Sequence, residues 1–227
     1  SSPGNANVLE ALEFIAIERG DEVLRRHWLE ARMTVNPDSP DLLRAHAHLL
    51  AKMGDMEAER DVLRLEALGL DTPADRSLLS GLRARAGSRS EALEAIEEAI
   101  AEDPTQAADW LSYANLLYEE GESSKALDAA DKCLEIDRQC GGAWALTATI
   151  LAPKQNRLKE ALKAAIHAVA LDSGGVDLVL LKADLLLADG QVTAAEESLV
   201  KSLEKDIMNG ELRARIATRY LLDGRPE

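Results

Sequence analysis

The side chains best suited to chemistry in this sequence are four histidines and two cysteines, and their spacing fits neither a metal site nor a catalytic one. His46 and His48 are two residues apart, so on a helix they do not face each other. The sequence contains no HExxH or CxxC motif, no phosphate loop, no dinucleotide fingerprint and no Ser-His-Asp order. We therefore predict no enzymatic activity, no metal and no cofactor within this chain.

The cysteines and the densest acidic run have equally plain interpretations. Cys133 and Cys140 are seven residues apart, too few and too isolated for a disulfide framework, so we predict two small or buried thiols. A single bridge between them is the alternative. Glu94, Glu97 and Glu98 share one helix face, which we interpret as solvated and not as calcium-binding.

The charge of the chain excludes several classes of partner. The sequence holds 41 acidic and 26 basic residues, a net charge of −15, and residues 1–140 carry −14 of it. Binding to nucleic acid or to anionic lipid requires clustered lysine and arginine, so neither is predicted. No uncharged apolar run reaches the ~18 residues of a membrane span, and the first residues do not resemble a signal peptide. We expect a soluble protein, with cytoplasm and periplasm not distinguished.

The elements that would position any site are helices, and they repeat. Leucine and alanine, with 37 residues each, are strong helix formers, whereas only seven residues are aromatic. Trp110 and Trp144 are 34 residues apart, and each is followed by alanine after four residues and by leucine after seven. Glycines recur in the same frame, at Gly20, Gly54, Gly87, Gly121, Gly190 and Gly224. This period predicts a repeat protein built of helix pairs.

The frame places seven repeats along the chain. They start near Ala6, Pro40, Pro73, Ala107, Gly141, Val176 and Gly210. Small residues recur at two places in the second helix, which allows neighbouring helices to approach closely. These residues are Ala92, Ala126, Ala161 and Ala195, and then Ala99, Cys133, Ala168 and Ser202.

These features resemble the tetratricopeptide repeat family, with the fourth repeat matching best. The matching residues there are Trp110, Ala114, Leu117, Gly121, Ala126 and Cys133. The resemblance implies an all-α, right-handed superhelix of six full repeats and a partial seventh, which forms one solenoid domain over residues 6–227. Residues 1–5 are predicted to be disordered or to be an added segment foreign to the protein. HEAT and armadillo repeats need roughly 40–47 residues, which the spacing excludes.

Two repeats depart from the family pattern. The first has Glu13 and Arg25 where a small residue is usual, so its two helices lack the small-residue contact of the other repeats. The seventh stops after its first helix, with Arg225-Pro226-Glu227 beginning a turn. We expect the chain to be cut from a longer protein, the alternative being a native capping helix.

The resemblance implies that the first helix of each repeat lines a concave groove. The predicted partner-binding residues on these helices are Phe14, Arg44, His48, Lys52, Arg85, Leu111, Asn115, Tyr118, Leu180, Asp184 and Leu187. Arg44, His48, Lys52 and Arg85 form a predicted basic cluster. In the alternative interpretation, the three cations of this cluster form ion pairs at the surface. Arg44, Lys52 and Arg85 would then pair with Asp41, Glu18 and Glu119. Beyond them, a predicted apolar strip consists of Leu111, Tyr118, Leu180 and Leu187, for which ordinary helix packing is the alternative.

Protein binding is the function that these features favour. We predict a scaffold or adaptor that holds a peptide with an acidic and an apolar portion. The alternative is an accessory or substrate-recruiting domain of a larger enzyme, for example a transferase acting on cell-surface polymers. Self-association is a third possibility. The carboxylate-clamp subtype of the family is not predicted, because only Asn115 matches and the other four positions, which include all the cationic ones, hold Leu111, Leu146, Asp177 and Leu181. The asparagine-ladder subtype is not predicted either.

Overall fold

Successive helices begin close to where the 34-residue spacing predicts. The computed structural model describes residues 3–171, 175–205 and 210–222, and every regular element within them is a helix. The α-helices are α1 (Pro3–Glu18), α2 (Glu22–Val35), α3 (Pro40–Met53), α4 (Ala58–Ala67), α5 (Pro73–Arg85), α6 (Arg89–Glu102), α7 (Ala107–Glu119), α8 (Ser123–Ile136), α9 (Gly141–Leu151), α10 (Leu158–Ala170), α11 (Gly175–Ala188), α12 (Val192–Lys205) and α13 (Gly210–Leu222). A short 3-10 helix, Gln155–Arg157, precedes α10.

The predicted repeat starts agree with five of the seven first helices, namely α3, α5, α7, α9 and α13. α11 starts one residue early, at Gly175. α1 starts at Pro3, three residues before the predicted start of the first repeat at Ala6. Proline is well tolerated in the first turn of a helix, where its missing N–H would have no partner anyway. Residues 223–227, which suggested a cut end, lie outside the described residues.

Local signals explain where the helices start and end. Pro40 and Pro73 are the first residues of α3 and α5. Asp21 caps α2, because its side chain accepts a hydrogen bond from the Leu24 amide at 2.9 Å. Gly87 and Gly121 follow α5 and α7 with φ of 85° and 84°, a left-handed conformation that glycine adopts without steric cost. The repeated glycines therefore mark the turns between paired helices.

Helices α1 to α6 form one compact unit, unit 1 (Ser1–Thr105). They pack as the pairs α1/α2, α3/α4 and α5/α6. Successive pairs are joined by a contact of α2 with α3 and a contact of α4 with α5. Leu50 of α3, Ala58 of α4 and Leu82 of α5 form one of its apolar clusters. Each cluster of this kind joins neighbouring helix pairs.

Ion pairs connect the two helices of the first pair in unit 1. Glu13, only 6% exposed, bonds the Arg32 guanidinium, and its other oxygen lies 3.7 Å from Arg25 Nε. Glu13 and Arg25 are the two residues that depart from the family pattern. An ion-pair cluster between α1 and α2 thus takes the place of the usual small-residue contact.

Helices α7 to α13 form the second compact unit, unit 2 (Gln106–Glu227). Its pairs are α7/α8, α9/α10 and α11/α12, and α13 packs against α11 and α12. The predicted small residues of the second helices in both units are buried, apart from the partly buried Ser202. This result confirms the close-packing role inferred from their spacing. Within the described residues, no helix is long and apolar enough to cross a membrane.

Candidate partner-binding surfaces

Arg44 is a structural residue in unit 1. Its Nε donates to Asp75 Oδ2 at 2.9 Å, and Nη2 donates to the Leu70 carbonyl. Asp75 is 2% exposed and also accepts hydrogen bonds from the Thr72 amide and hydroxyl, at 2.9 and 2.8 Å. Thr72 and Asp75 form the capping box that begins α5, so Arg44 connects α3 to this cap.

The other members of the predicted basic cluster are engaged to different degrees. Lys52 Nζ lies 2.5 Å from Glu22 Oε1, although its side chain is 72% exposed. Arg85 Nη1 donates to the Ala51 carbonyl at 3.1 Å, in the last turn of α3, where a cation offsets the negative end of the helix dipole. His48 is exposed.

Arg44 and Lys52 form ion pairs, but with Asp75 and Glu22 and not with Asp41 and Glu18. Arg85 donates a hydrogen bond to a backbone carbonyl, that of Ala51. Long arginine and lysine side chains reach neighbouring repeats, so helix spacing alone does not identify their partners. Charge reversal at Arg44 would disturb the α5 cap as well as any binding surface.

Phe14 of α1 has the largest exposed aromatic surface in unit 1, with 61% of its area accessible. Ile17, one turn further along α1, is 45% exposed. Phe14 and Ile17 are therefore accessible apolar residues on the first helix of the first repeat.

In unit 2, three of the predicted residues share one face of α7. Asn115 and Tyr118 are exposed, and Leu111 is half-buried. Leu111 lies over Gly142 of α9, where an added Cβ would come within 2.9 Å of the leucine Cδ2. The missing side chain at Gly142 thus lets α7 and α9 approach each other beneath Leu111.

The α9 side of this surface carries small side chains. α7 contacts α9, and Ala145 and Thr149 follow Gly142 by three and seven residues, which places them on one side of α9. Ala145 is half-buried, and Thr149 is exposed with its hydroxyl bonded to the Ala145 carbonyl at 2.9 Å. We call Leu111, Asn115, Tyr118, Ala145 and Thr149 the α7–α9 surface.

The predicted residues on α11 belong to the same unit. Leu180, Asp184 and Leu187 are all half-buried. Their spacing of four and three residues places them on one side of α11. The two leucines are thus less accessible than the predicted apolar strip implies.

Sequence reasoning missed a buried pair of ionisable groups in unit 1. His46 Nδ1 lies 2.6 Å from Asp61 Oδ2, both residues are buried, and His46 Nε2 lies 3.7 Å from Glu30 Oε1. The pair joins α3 to α4, and we assign it a packing role because neither residue lines a described cleft. A histidine at an otherwise apolar helix position was the available signal. Among the described residues, no group of three potential ligands could hold a metal ion.

A polar cleft of about 290 Å³ lies between α8, α9 and α10 in unit 2. Trp144 and Thr147 line it from α9, Asp128 and Asp131 from α8, and Glu160 from α10. Burial and then the neighbouring Asp128 carboxylate raise the pKa of Asp131 above its ordinary value. Arg157 and Lys163 also line the cleft, and Arg157 offsets part of this rise, so the cleft carries charges of both signs.

The two cysteines also lie in unit 2, and both are free thiols. Burial, followed by a hydrogen bond with Cys140, raises the pKa of Cys133 to about 12. The thiolate is the reactive form, so Cys133 is inert near neutral pH. The prediction of free thiols is confirmed.

Comparison with known proteins identifies the fold but no close relative. No protein-family profile and no curated protein sequence matches the chain. Among solved structures, a tetratricopeptide repeat protein from Parabacteroides merdae aligns with a TM-score of 0.74 and 17% identity, over 97% of this chain and 87% of its own. The type IV pilus biogenesis factor PilW aligns with a TM-score of 0.75 and 16% identity, over 95% of this chain and 100% of its own.

A third solved structure is YrrB, a tetratricopeptide repeat protein described as having an unusual peptide-binding site. It aligns with a TM-score of 0.62 and 17% identity, over 84% of this chain and 97% of its own. The helix pairs and these alignments agree that the chain has the tetratricopeptide repeat fold, as its sequence pattern predicted.

Proposed function

We propose that this tetratricopeptide repeat chain is a protein-interaction module, and that its α7–α9 surface binds an extended segment of a partner protein. The observation that carries the proposal is the exposure of Asn115 and Tyr118 on one face of α7, next to the small side chains of α9. Within unit 2, Leu180, Asp184 and Leu187 of α11 are included as further candidate contacts. Phe14, His48 and Lys52 of unit 1 are a separate set of candidate contacts within that unit.

The chemistry of these residues suits a peptide main chain. The Asn115 side-chain amide offers both donors and an acceptor, which matches the alternating N–H and C=O groups of an extended peptide. It makes no hydrogen bond within the described part of the chain. Tyr118 and Leu111 supply apolar contact area, with the tyrosine hydroxyl available for a further hydrogen bond. Ala145 and Thr149 leave room for the peptide beside them.

The fold supports this class of function without specifying the partner. Tetratricopeptide repeats share one architecture across unrelated roles, so the site and not the fold carries the proposal. YrrB, at 17% identity, is described as having a peptide-binding site. We place the site of this chain on α7 and α9 from the chain's own exposed residues.

The test is selection of peptides from a phage-displayed library of random twelve-residue sequences, using the purified chain as bait. Selected peptides are then synthesised with a fluorophore, and their Kd is measured by fluorescence anisotropy. For the variants Asn115→Ala and Tyr118→Ala, we expect the Kd of each peptide to be roughly tenfold higher than for the wild-type chain, which corresponds to about 1.4 kcal/mol. Lys163→Ala, an exposed position on α10, is the matched control and should leave Kd unchanged.

Two outcomes would refute this proposal. One is that no peptide sequence is enriched over repeated rounds. The other is that the selected peptides bind Asn115→Ala and Tyr118→Ala as tightly as the wild-type chain. Circular dichroism melts of all variants show whether each substitution leaves the fold intact.

A further inference from the structure

Clefts recur at the same places of different repeats. A cleft of about 220 Å³ lies between α4, α5 and α6 of unit 1, and it is the counterpart of the cleft between α8, α9 and α10 of unit 2. In both, the fourth, seventh and eleventh residues of a repeat line the cleft from its first helix. These residues are Arg76, Leu79 and Arg83 in the third repeat, and Trp144, Thr147 and Leu151 in the fifth. Because α10 contacts α11 and α11 contacts α12 in the same order, the register predicts a corresponding surface on the sixth repeat.

Lysine occupies the middle one of these three places in the sixth repeat. The residue there is Lys182, whereas Leu79 and Thr147 hold this place in the third and fifth repeats and are buried. Lys182 is half-buried on α11. Burial, followed by the positive charge of Lys201 on α12, lowers the pKa of Lys182 below its ordinary value. A partly buried ammonium group thus lies near a second cation.

The register also explains the position of Lys201. The equivalent residue of α10 is His167, whose ring stacks on Trp144 of the fifth-repeat cleft with the ring centroids 4.7 Å apart. A side chain at this place of a second helix therefore reaches the cleft-lining side of the first helix of its own pair. Lys201 has the corresponding place on α12, beside α11.

Helix α10 adds two further lysines to the same side of unit 2. Ser124 and Asp128 of α8 line the fifth-repeat cleft, and the equivalent places of α10 hold Lys159 and Lys163. Both lysines are exposed, and their spacing of four residues makes them neighbours on one face of α10. We call Lys159, Lys163, Lys182 and Lys201 the lysine surface.

Ion pairs within the described part of the chain leave the lysine surface positive. None of its four lysines forms an ion pair with a residue that the structure describes. Lys132 of α8, by contrast, pairs with Glu135 at 2.7 Å. The register places one carboxylate beside the four lysines, that of Glu197 on α12, so positive charge is in excess here although the chain carries −15. Such an excess, with one lysine partly buried, is stabilised when an anion binds.

We propose that the lysine surface binds an acidic segment of a partner protein, in which aspartate or glutamate alternates with apolar residues. The four ammonium groups are distributed over three helices, which suits several carboxylates along a segment and not one small anion. Ile166 of α10 is 43% exposed and Val179 of α11 is half-buried, and the register places both on the same side as apolar contacts. The net charge of −15 disfavours nucleic acid as the partner.

The probe is a fluorescein-labelled synthetic peptide of twelve residues, in which two glutamates alternate with one leucine. Its matched peptide has glutamine in place of every glutamate. We expect saturable anisotropy when the wild-type chain is titrated into the glutamate peptide at low salt, and a progressive rise of Kd as added salt screens the charges. The glutamine peptide should bind far more weakly.

Variants of the chain locate the binding site of this probe. Lys182→Met with Lys201→Gln should raise Kd roughly fivefold, as expected when two partly exposed ion pairs are lost. Glu197→Gln should lower Kd, because it removes the carboxylate from the surface. Lys132→Gln is the matched control and should leave Kd unchanged, since Lys132 has in the fourth repeat the place that Lys201 has in the sixth.

The lysine surface and the α7–α9 surface are tested independently. Lys163→Ala should weaken binding of the glutamate peptide and leave peptides held by Asn115 and Tyr118 unchanged, and Asn115→Ala should do the reverse. Thermal melts should show that Lys182→Met does not lower the melting temperature, because methionine is buried without the desolvation of a charge. A stable double variant with raised Kd supports the proposal.

Four results would overturn the proposal. Two are the absence of binding to the wild-type chain and equal Kd values for the glutamate and glutamine peptides. A third is equal Kd values for the wild-type chain and the double variant of Lys182→Met and Lys201→Gln. The fourth is displacement of the probe by inorganic phosphate at matched ionic strength, which would identify a phosphate site.

Light scattering of the unliganded chain at several concentrations tests a second copy as the occupant. A wild-type dimer that the Lys182→Met and Lys201→Gln substitutions dissociate would show that acidic residues of another copy cover the lysine surface, and would also overturn the proposal. A monomer at every concentration, together with binding of the glutamate peptide, supports a separate partner.

Discussion

Arg44 shows how one side chain links two repeats of unit 1. It lies on α3, and its guanidinium contacts a buried carboxylate that caps α5, 31 residues later in the chain. A buried carboxylate needs hydrogen bonds or an opposite charge to offset the loss of hydration. Asp75 receives both, from Thr72 and from Arg44. The position of Arg44 on a first helix suggested partner binding, but its contacts explain its presence structurally.

We expect Arg44→Ala to lower the free energy of unfolding by about 1–3 kcal/mol, because Asp75 stays buried without its guanidinium. Lys52→Ala removes an ion pair whose lysine is 72% exposed, and should change stability by less than about 1 kcal/mol. Urea denaturation of both variants measures the difference. Equal effects of the two substitutions would contradict the structural role of Arg44.

Asp131 offers a pH-dependent prediction at the same scale. Its pKa is raised above 3.8 in the folded chain, so the native state holds a proton that the unfolded state has already released. Stability must then fall as the pH rises from the ordinary pKa through the raised one. Asp131→Asn removes this loss, and the variant should be more stable than the wild type at pH 7.

The gain from Asp131→Asn should disappear below the ordinary aspartate pKa, where the carboxyl group is neutral in both states. Thermal melts of the wild type and the variant over a pH series measure the difference. A variant that is less stable at pH 7, or a gain that persists unchanged at low pH, would show that the carboxylate is not the cause.

At the scale of the element, glycine has opposite roles within one repeat of unit 1. Gly81 lies inside α5 with ordinary helical φ, and an added Cβ there would meet no atom within 4 Å. Gly87 follows α5 with φ of 85°, where a side chain is strained whatever space surrounds it. The same residue type therefore weakens the helix at one place and ends it at the other.

Gly81→Ala should raise the free energy of unfolding by about 0.5–1 kcal/mol, since alanine restricts the unfolded chain and favours helix. Gly87→Ala should lower it by about 1–2 kcal/mol, because an L-residue is strained in the left-handed region. Chemical denaturation of the two variants provides the comparison. Changes of the same sign in both would refute this account of the turn.

α1 and α2 show a second way to join a helix pair. From α5/α6 onward the pairs bury small residues of their second helices, whereas Glu13 with Arg25 and Arg32 connects α1 and α2 by charge. Arginine side chains have apolar stems that cover neighbouring surface while the guanidinium binds a carboxylate. Glu13 and Arg25 both depart from the family pattern, and each supplies the opposite charge that the other needs.

At the scale of the whole molecule, stability is expected to be distributed repeat by repeat. In repeat proteins each unit contacts only its neighbours, so a local defect need not unfold the entire chain at once. The cluster of Leu50, Ala58 and Leu82 shows how far such contacts extend, because it joins only α3, α4 and α5 of unit 1. A substitution that weakens this cluster should therefore lower the stability of those three helices most.

Leu50→Ala should cost about 2–5 kcal/mol, because Leu50 is fully buried and its loss leaves a cavity. Hydrogen exchange followed by mass spectrometry should show larger losses of protection in α3, α4 and α5 than in α1. Leu63→Ala, at a leucine that is 38% exposed, is the control and should change protection little. Equal losses in α1, α3, α4 and α5 would indicate that unit 1 unfolds as one body.

The sequence by itself determined the helices, their pairing and most of their boundaries. These properties depend on local preferences that repeat every 34 residues, such as proline in a first turn, glycine at a left-handed turn and alanine at a close helix contact. Family resemblance then assigned the first helices as a candidate surface. Leu42 and Leu49 could be assigned to the interior from their register alone.

Only the tertiary structure decided which of the candidate side chains are available to a partner. Arg44 bonds to Asp75 across 31 residues, and Arg85 bonds to the Ala51 carbonyl across 34 residues. Such long, charged side chains have several acceptors within reach, and packing selects among them. The partial burial of Lys182 near Lys201 likewise depends on the helices packed around it, and that is a property of the packed repeats and not of local sequence.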